Sequence, residues 1–175
     1  MDCVFTSRRP TFRRVWAVYV GLYAARATST GQATYANAQL ASTQPELYDR
    51  FRFKVISSAA NNVTLGKFRT ATGGVVLAFY RSGSGRLCLR NEISTASYCS
   101  TTKPSIGAWH TVQVHARIGS SGLTEVWLDG VRLADLSRSQ ALGSVPIGRV
   151  QLGNNQAGRT YDVAFDDIVI DTAQI

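Results

Sequence analysis

The sequence is short of acidic residues, cysteine, proline and long apolar runs, and each shortage removes a class of protein. Eleven Asp plus Glu face 19 Lys plus Arg, which leaves a net charge of +8. A surplus of that sign favours an anionic partner such as nucleic acid, an acidic polysaccharide or an anionic lipid surface. Four of the positive charges are Arg8, Arg9, Arg13 and Arg14, so the rest of the chain is only mildly basic. Lys-rich runs and the aromatic-plus-glycine signatures of nucleic-acid modules are absent, so no nucleic-acid partner is expected. The three cysteines (Cys3, Cys88, Cys99) are too few for a disulfide scaffold, and none stand in the C-x-x-C spacing of a zinc site. No apolar stretch approaches the ~20 residues of a membrane span. Four prolines in a chain that is 45% hydrophobic and 17% charged exclude disorder over most of the length. Nucleophile-elbow, Walker and H-E-x-x-H motifs are also missing.

What is present is alternation. Period-two hydrophobicity runs through the chain, and no window of helical periodicity persists. Strands are expected over 23–28, 33–40, 48–56, 63–70, 75–80, 86–90, 97–101, 110–118, 124–129, 131–136, 149–152 and 161–170. Turn residues separate them, among them Gly73-Gly74, Asp129-Gly130 and Gly153-Asn154-Asn155. Only 137–142 reads as a short helical turn. So many short strands without crossover helices predict an all-β fold, a two-sheet antiparallel β-sandwich. Residues 15–175 read as one domain, with 1–14 an extension of uncertain status. Within 15–27, a strand reading, in which Trp16, Val18 and Val20 alternate with their neighbours, competes with a signal peptide ending at Ala25-Arg26-Ala27.

Two segments are informative at residue level. Asp129-Gly130 is a two-residue hairpin signal, since a type I′ turn needs positive φ at both positions. It sets Leu128 opposite Val131 and Trp127 opposite Arg132, with Glu125 beside them. In Arg50-Phe51-Arg52-Phe53-Lys54-Val55, alternation turns Phe51, Phe53 and Val55 inward and lines Arg50, Arg52 and Lys54 along one outer strip. A hairpin centred between Ile93 and Ser94 also places Cys88 opposite Cys99. The pair joins as a disulfide in an oxidising compartment and reads equally as two free thiols otherwise.

Three motifs follow in order: Gly107-Ala108-Trp109-His110-Thr111-Val112, Glu125-Val126-Trp127-Leu128-Asp129-Gly130, and the terminal strand Tyr161-Asp162-Val163-Ala164-Phe165-Asp166-Asp167-Ile168-Val169-Ile170. In that combination the chain resembles the concanavalin A-like lectin/glucanase (laminin-G-like) jelly-roll family. The resemblance runs over roughly residues 21–171. It implies a jelly roll, an extracellular or cell-surface location, and a role in glycan binding or adhesion. It also implies a packing role for His110.

The site expectations divide by chemistry. Glycosidases of this fold draw their carboxylates from an E-x-D-x-x-E strand, which is absent; Glu125 and Asp129 share a face but lie about 13 Å apart, beyond the reach of either glycosidase geometry. Two functions remain. The first is a non-catalytic carbohydrate-binding module for an anionic polysaccharide or glycoconjugate, using Arg50, Arg52, Lys54, His115, Arg117 and Trp127. The alternative is a lyase of acidic glycans, for which Gln113-Val114-His115 resembles the Q-(I/V)-H strand of alginate-lyase jelly rolls, with Arg117 on the same face. A structural, self-associating domain is a third reading. Trp127 serves either as a sugar-stacking platform or as the partner of Arg132 in a cation–π pair. Asp166 and Asp167 read either as a bulge or as a structural Ca²⁺ site; no other cofactor is expected.

Overall fold

The computed structural model describes residues 24–175 in full, together with the backbone of Phe5–Thr6 and Phe12–Val15. Its elements are β1 (Phe5–Thr6), β2 (Phe12–Val15), β3 (Ala24–Thr30), β4 (Thr34–Gln44), β5 (Glu46–Ser58), β6 (Val63–Thr70), β7 (Val75–Arg81) and β8 (Leu87–Asn91). They continue as β9 (Ala96–Cys99), β10 (Trp109–Arg117), β11 (Gly122–Leu128), β12 (Val131–Arg132), β13 (Arg138–Gln140), β14 (Ile147–Asn154) and β15 (Thr160–Asp171). A seven-stranded sheet runs β1-β4-β14-β6-β7-β8-β9. An eight-stranded one runs β12-β11-β10-β5-β15-β3-β2, with β13 also on β11. Every pairing is antiparallel. The two sheets pack as the β-sandwich that the alternation predicts.

The expected strip on β5 shows how sequence becomes layer. Phe51, Phe53 and Val55 are buried, while Arg50, Arg52 and Lys54 remain part-exposed on the outer side. Phe51 packs on Phe165 of β15 with ring centroids 5.9 Å apart, and Phe68 meets Phe79 edge-on at 5.7 Å in the other sheet. One residue breaks the apolar run. Asp49 sits on the inner side, fully buried, and neither carboxylate oxygen has a hydrogen-bond partner.

The Asp129-Gly130 turn forms as expected, with φ of 51° and 80° and the register Trp127↔Arg132, Leu128↔Val131. Cys88 and Cys99 are cross-strand neighbours joined by a disulfide. Arg26 of β3 pins β15 by pairing with Asp162, whose carboxylate also accepts from Thr28.

Two local expectations are corrected. The strand expected over 131–136 stops at Arg132, and Ala134–Leu136 form a 3₁₀ turn instead. Leu133 and Leu136 are both buried, and a three-residue period turns both into the core where a strand would turn one out. The helical turn expected over 137–142 is the short strand β13, which pairs with the far end of β11. Expectations for Cys3 and for residues 16–23 lie outside the described residues.

Candidate functional site

The outer face of the eight-stranded sheet carries most of the expected site residues, and register decides which of them meet. Arg50 of β5 lies opposite Gln113 of β10, which lies opposite Trp127 of β11. One row away, Arg52 faces Thr111. Arg50, Thr111, Gln113 and Trp127 line an open cleft of about 540 Å³, together with Asp129, Gly130, Gln174 and Ile175. It holds a cation, an aromatic ring, an amide and a hydroxyl on one concave surface. Those are the groups that orient a polar ligand.

The cation strip is therefore not uniform. Arg52 Nε lies 3.4 Å from Asp167 Oδ2, so this guanidinium is held toward β15. Lys54 stands beside Trp109 in register, beyond the cleft. Arg117 ends β10 exposed, two positions past His115. Arg132 faces Trp127 in register as expected. Its Nε, however, donates to Glu125 Oε1 at 3.1 Å, so the guanidinium engages a carboxylate where a cation–π contact with the indole was one expectation.

His115 occupies the neighbouring row and is only 3% exposed. Its Nε2 lies 2.7 Å from Glu46 Oε1, its Nδ1 lies 3.1 Å from Glu125 Oε2, and its ring stacks on Tyr48 with centroids 4.1 Å apart. Both ring nitrogens are thus engaged by carboxylates on the same face, one from β5 and one from β11. Burial, with Glu46 and then Glu125, pushes the Tyr48 phenol up, against a smaller opposing effect of Arg117. Glu46 and Tyr48 were not read from the sequence as site residues, yet the alternation that exposes Arg50 places both on the same face.

His110 is held as tightly. Its Nδ1 lies 2.7 Å from Asp129 Oδ2, and Asp129 Oδ1 accepts the Thr111 N–H at 2.8 Å. Its Nε2 lies 3.0 Å from the Ser105 backbone nitrogen and 2.9 Å from its hydroxyl. The order serine–histidine–aspartate is that of a hydrolytic triad, but Nε2 spends its lone pair on a main-chain N–H. The arrangement anchors the loop before β10 to the β11–β12 turn. The ring also packs on Phe53 at 5.8 Å, in line with the expected packing role.

Asp166 and Asp167 sit in a β-bulge where the pairing of β15 with β5 slips. Asp167 has a φ of 49° and donates its backbone N–H to Asp166 Oδ1 at 2.8 Å. A Ca²⁺ ion takes six to eight oxygens. Among the described residues no group of three or more His, Cys, Asp or Glu gathers there, and Asp167 is turned to Arg52.

No family model matches the chain, and no curated protein matches it in sequence. Solved structures do match in fold, and several are glycan-acting β-sandwich proteins. An endo-β-1,4-glucuronan lyase from the fungus Trichoderma reesei superposes with a TM-score of 0.69 at 13% identity, covering 97% of this chain and 87% of its own. The cellulose-induced protein Cip1 gives 0.73 at 17% identity over 98% and 87%. The alginate lyase Aly36B, in complex with an alginate trisaccharide, gives 0.60 at 12% identity over 87% and 84%. At these identities the likeness establishes the fold: an all-β, two-sheet antiparallel sandwich shared with proteins that act on polysaccharides.

Proposed function

We propose that this domain is a non-catalytic binding module of the concanavalin A-like jelly-roll type, and that an acidic polysaccharide lies in the cleft between Arg50 and Trp127. The observation that carries this reading is the register Arg50–Gln113–Trp127. An arginine with no ion-pair partner among the described residues stands two strands from an aromatic ring, with an amide between them. Arg offers a carboxylate or sulfate a bidentate fork, and an indole face gives a sugar ring an apolar platform. Two of the fold neighbours carry glucuronan and alginate in their names, and both are acidic polymers. The Cys88–Cys99 bridge supports an oxidising, extracellular setting. The lyase alternative needs His115 or Tyr48 as a base, and the carboxylate clamp on one and the raised phenol of the other favour binding over elimination.

Binding to alginate and polyglucuronate should be measured at two salt concentrations, alongside ultraviolet absorbance for unsaturated products. Arg50→Gln should weaken binding about tenfold or more, the loss of one charge-assisted contact, with the melting temperature nearly unchanged. Wild-type binding should fall steeply as salt rises. Release of unsaturated product would establish the lyase instead. An Arg50→Gln, Trp127→Ala double variant that binds like wild type would remove the cleft from consideration.

A further inference from the structure

The opposite side of the sandwich carries a second concavity whose construction is also visible in the register. On the outer face of the seven-stranded sheet, Lys67 of β6, Ala78 of β7, Arg90 of β8 and Ser97 of β9 form one cross-strand row. Two cationic side chains thus flank the small side chain of Ala78, with their backbones about 9.6 Å apart. The missing bulk at Ala78 leaves a hollow of about 180 Å³, walled by Tyr80 from the adjacent row and by Glu92. Lys67 is only 7% exposed, and the acceptor bonded to its Nζ is Asn155 Oδ1 at 2.8 Å, which leaves donors over. Burial, with Arg69 adding to it, pushes the Lys67 ammonium down against the pull of Glu92. Glu92 is itself engaged, pairing with Arg90 Nε at 3.0 Å. A nearly buried ammonium at the wall of a hollow, with no ion-pair partner among the described residues and with Glu92 already paired to Arg90, is an arrangement that an anionic ligand completes.

We propose that this hollow is a second saccharide subsite, taking one uronic acid unit with its carboxylate on Lys67, its ring against Tyr80 and a hydroxyl donating to Glu92. A hollow of about 180 Å³ has room for one sugar ring, where a bare oxyanion would leave most of it empty. The proposal rests on the acidic-polysaccharide reading only for the choice of sugar. With a subsite on each sheet, one domain bridges two polysaccharide chains.

Isotope-labelled protein titrated with D-glucuronate should show saturable shifts at the backbone amides of Tyr80, Arg90 and Ser97. Lys67→Met should weaken that binding about tenfold or more. Ala78→Leu, which fills the hollow and keeps both cations, should abolish it and serves if Lys67→Met folds poorly. Trp127→Ala should leave these shifts intact while removing any at Gln113 and Thr111, so the two sites stand or fall separately. Shifts that persist unchanged in both Lys67→Met and Ala78→Leu, or no shifts in wild type, overturn the proposal. So does an equal response to D-glucose, which lacks the carboxylate, or to inorganic sulfate, which lacks the ring.

Discussion

Asp49 sits between Leu47 and Phe51 on the inner side of β5, where the strand is otherwise apolar. Burial alone raises its carboxyl from 3.8 to about 8. The sign follows from linkage: the folded state holds this proton while the unfolded chain releases it near its ordinary value. Stability from this group is therefore fully present below about pH 4, is lost as pH rises toward about 8, and is level beyond. A shift of that size corresponds to about 6 kcal/mol as an upper bound, since a real interior relaxes around the charge. Asp49→Asn keeps the shape and removes the charge, so its stability advantage over wild type should grow between pH 5 and pH 8 in urea unfolding. A constant difference across that range would mean the carboxyl is not buried as described. Asp49→Leu should stabilise further at neutral pH by removing two unsatisfied oxygens.

At the scale of elements, β9 is the four-residue edge of the seven-stranded sheet, and the Cys88–Cys99 bridge staples it to β8. The bridge closes a short loop, for which the chain-entropy model gives about 3 kcal/mol. Reduction, or Cys88→Ser with Cys99→Ser, should lower stability by roughly that amount. Because Arg90 and Ser97 are register partners, it should also loosen that edge, seen as faster amide exchange at Ser97. Mass spectrometry of unreduced, alkylated protein should find one modified cysteine, and three would exclude the bridge. This hairpin was legible in the sequence because the pairing of 88 with 99 is local and the period of two fixes its face. The Asp129-Gly130 turn was legible for the same reason, as was the inward set Phe51, Phe53 and Val55. Strand β13 was not, because three residues of no marked pattern become a strand only by pairing with the N-terminal end of β11. The site divides the same way. Alternation put Arg50, Arg52 and Lys54 on one face, but Arg52 is drawn off by Asp167, brought beside it by a bulge in β15. The clamp on His115 likewise needs carboxylates from β5 and β11, and Asp49 gave no signal beyond its place in the alternation.

For the whole molecule, the excess of cations is divided between two outer faces, with Arg50, Arg52 and Lys54 on one and Lys67, Arg69, Arg90 and Arg149 on strands of the other sheet. The eight-stranded sheet is built around β5, and Lys54 in that strand takes its partners at Trp109 on one side and Ala164 on the other. Contacts of such sequence separation place the domain among slow folders, with refolding in milliseconds to seconds. Stopped-flow refolding at intact disulfide should show this, and a microsecond phase carrying the full amplitude would contradict it. Synthesis on the ribosome stretches the interval further. Phe51 and Phe53 emerge early, yet β15, which supplies Phe165 against them, is made about 110 residues later, on the order of 5–20 s at 5–20 residues per second. Through that interval the nascent chain holds the strand that carries Leu47, Phe51, Phe53 and Val55 without one of its two neighbours, and a holding chaperone would find its binding site at 47–55.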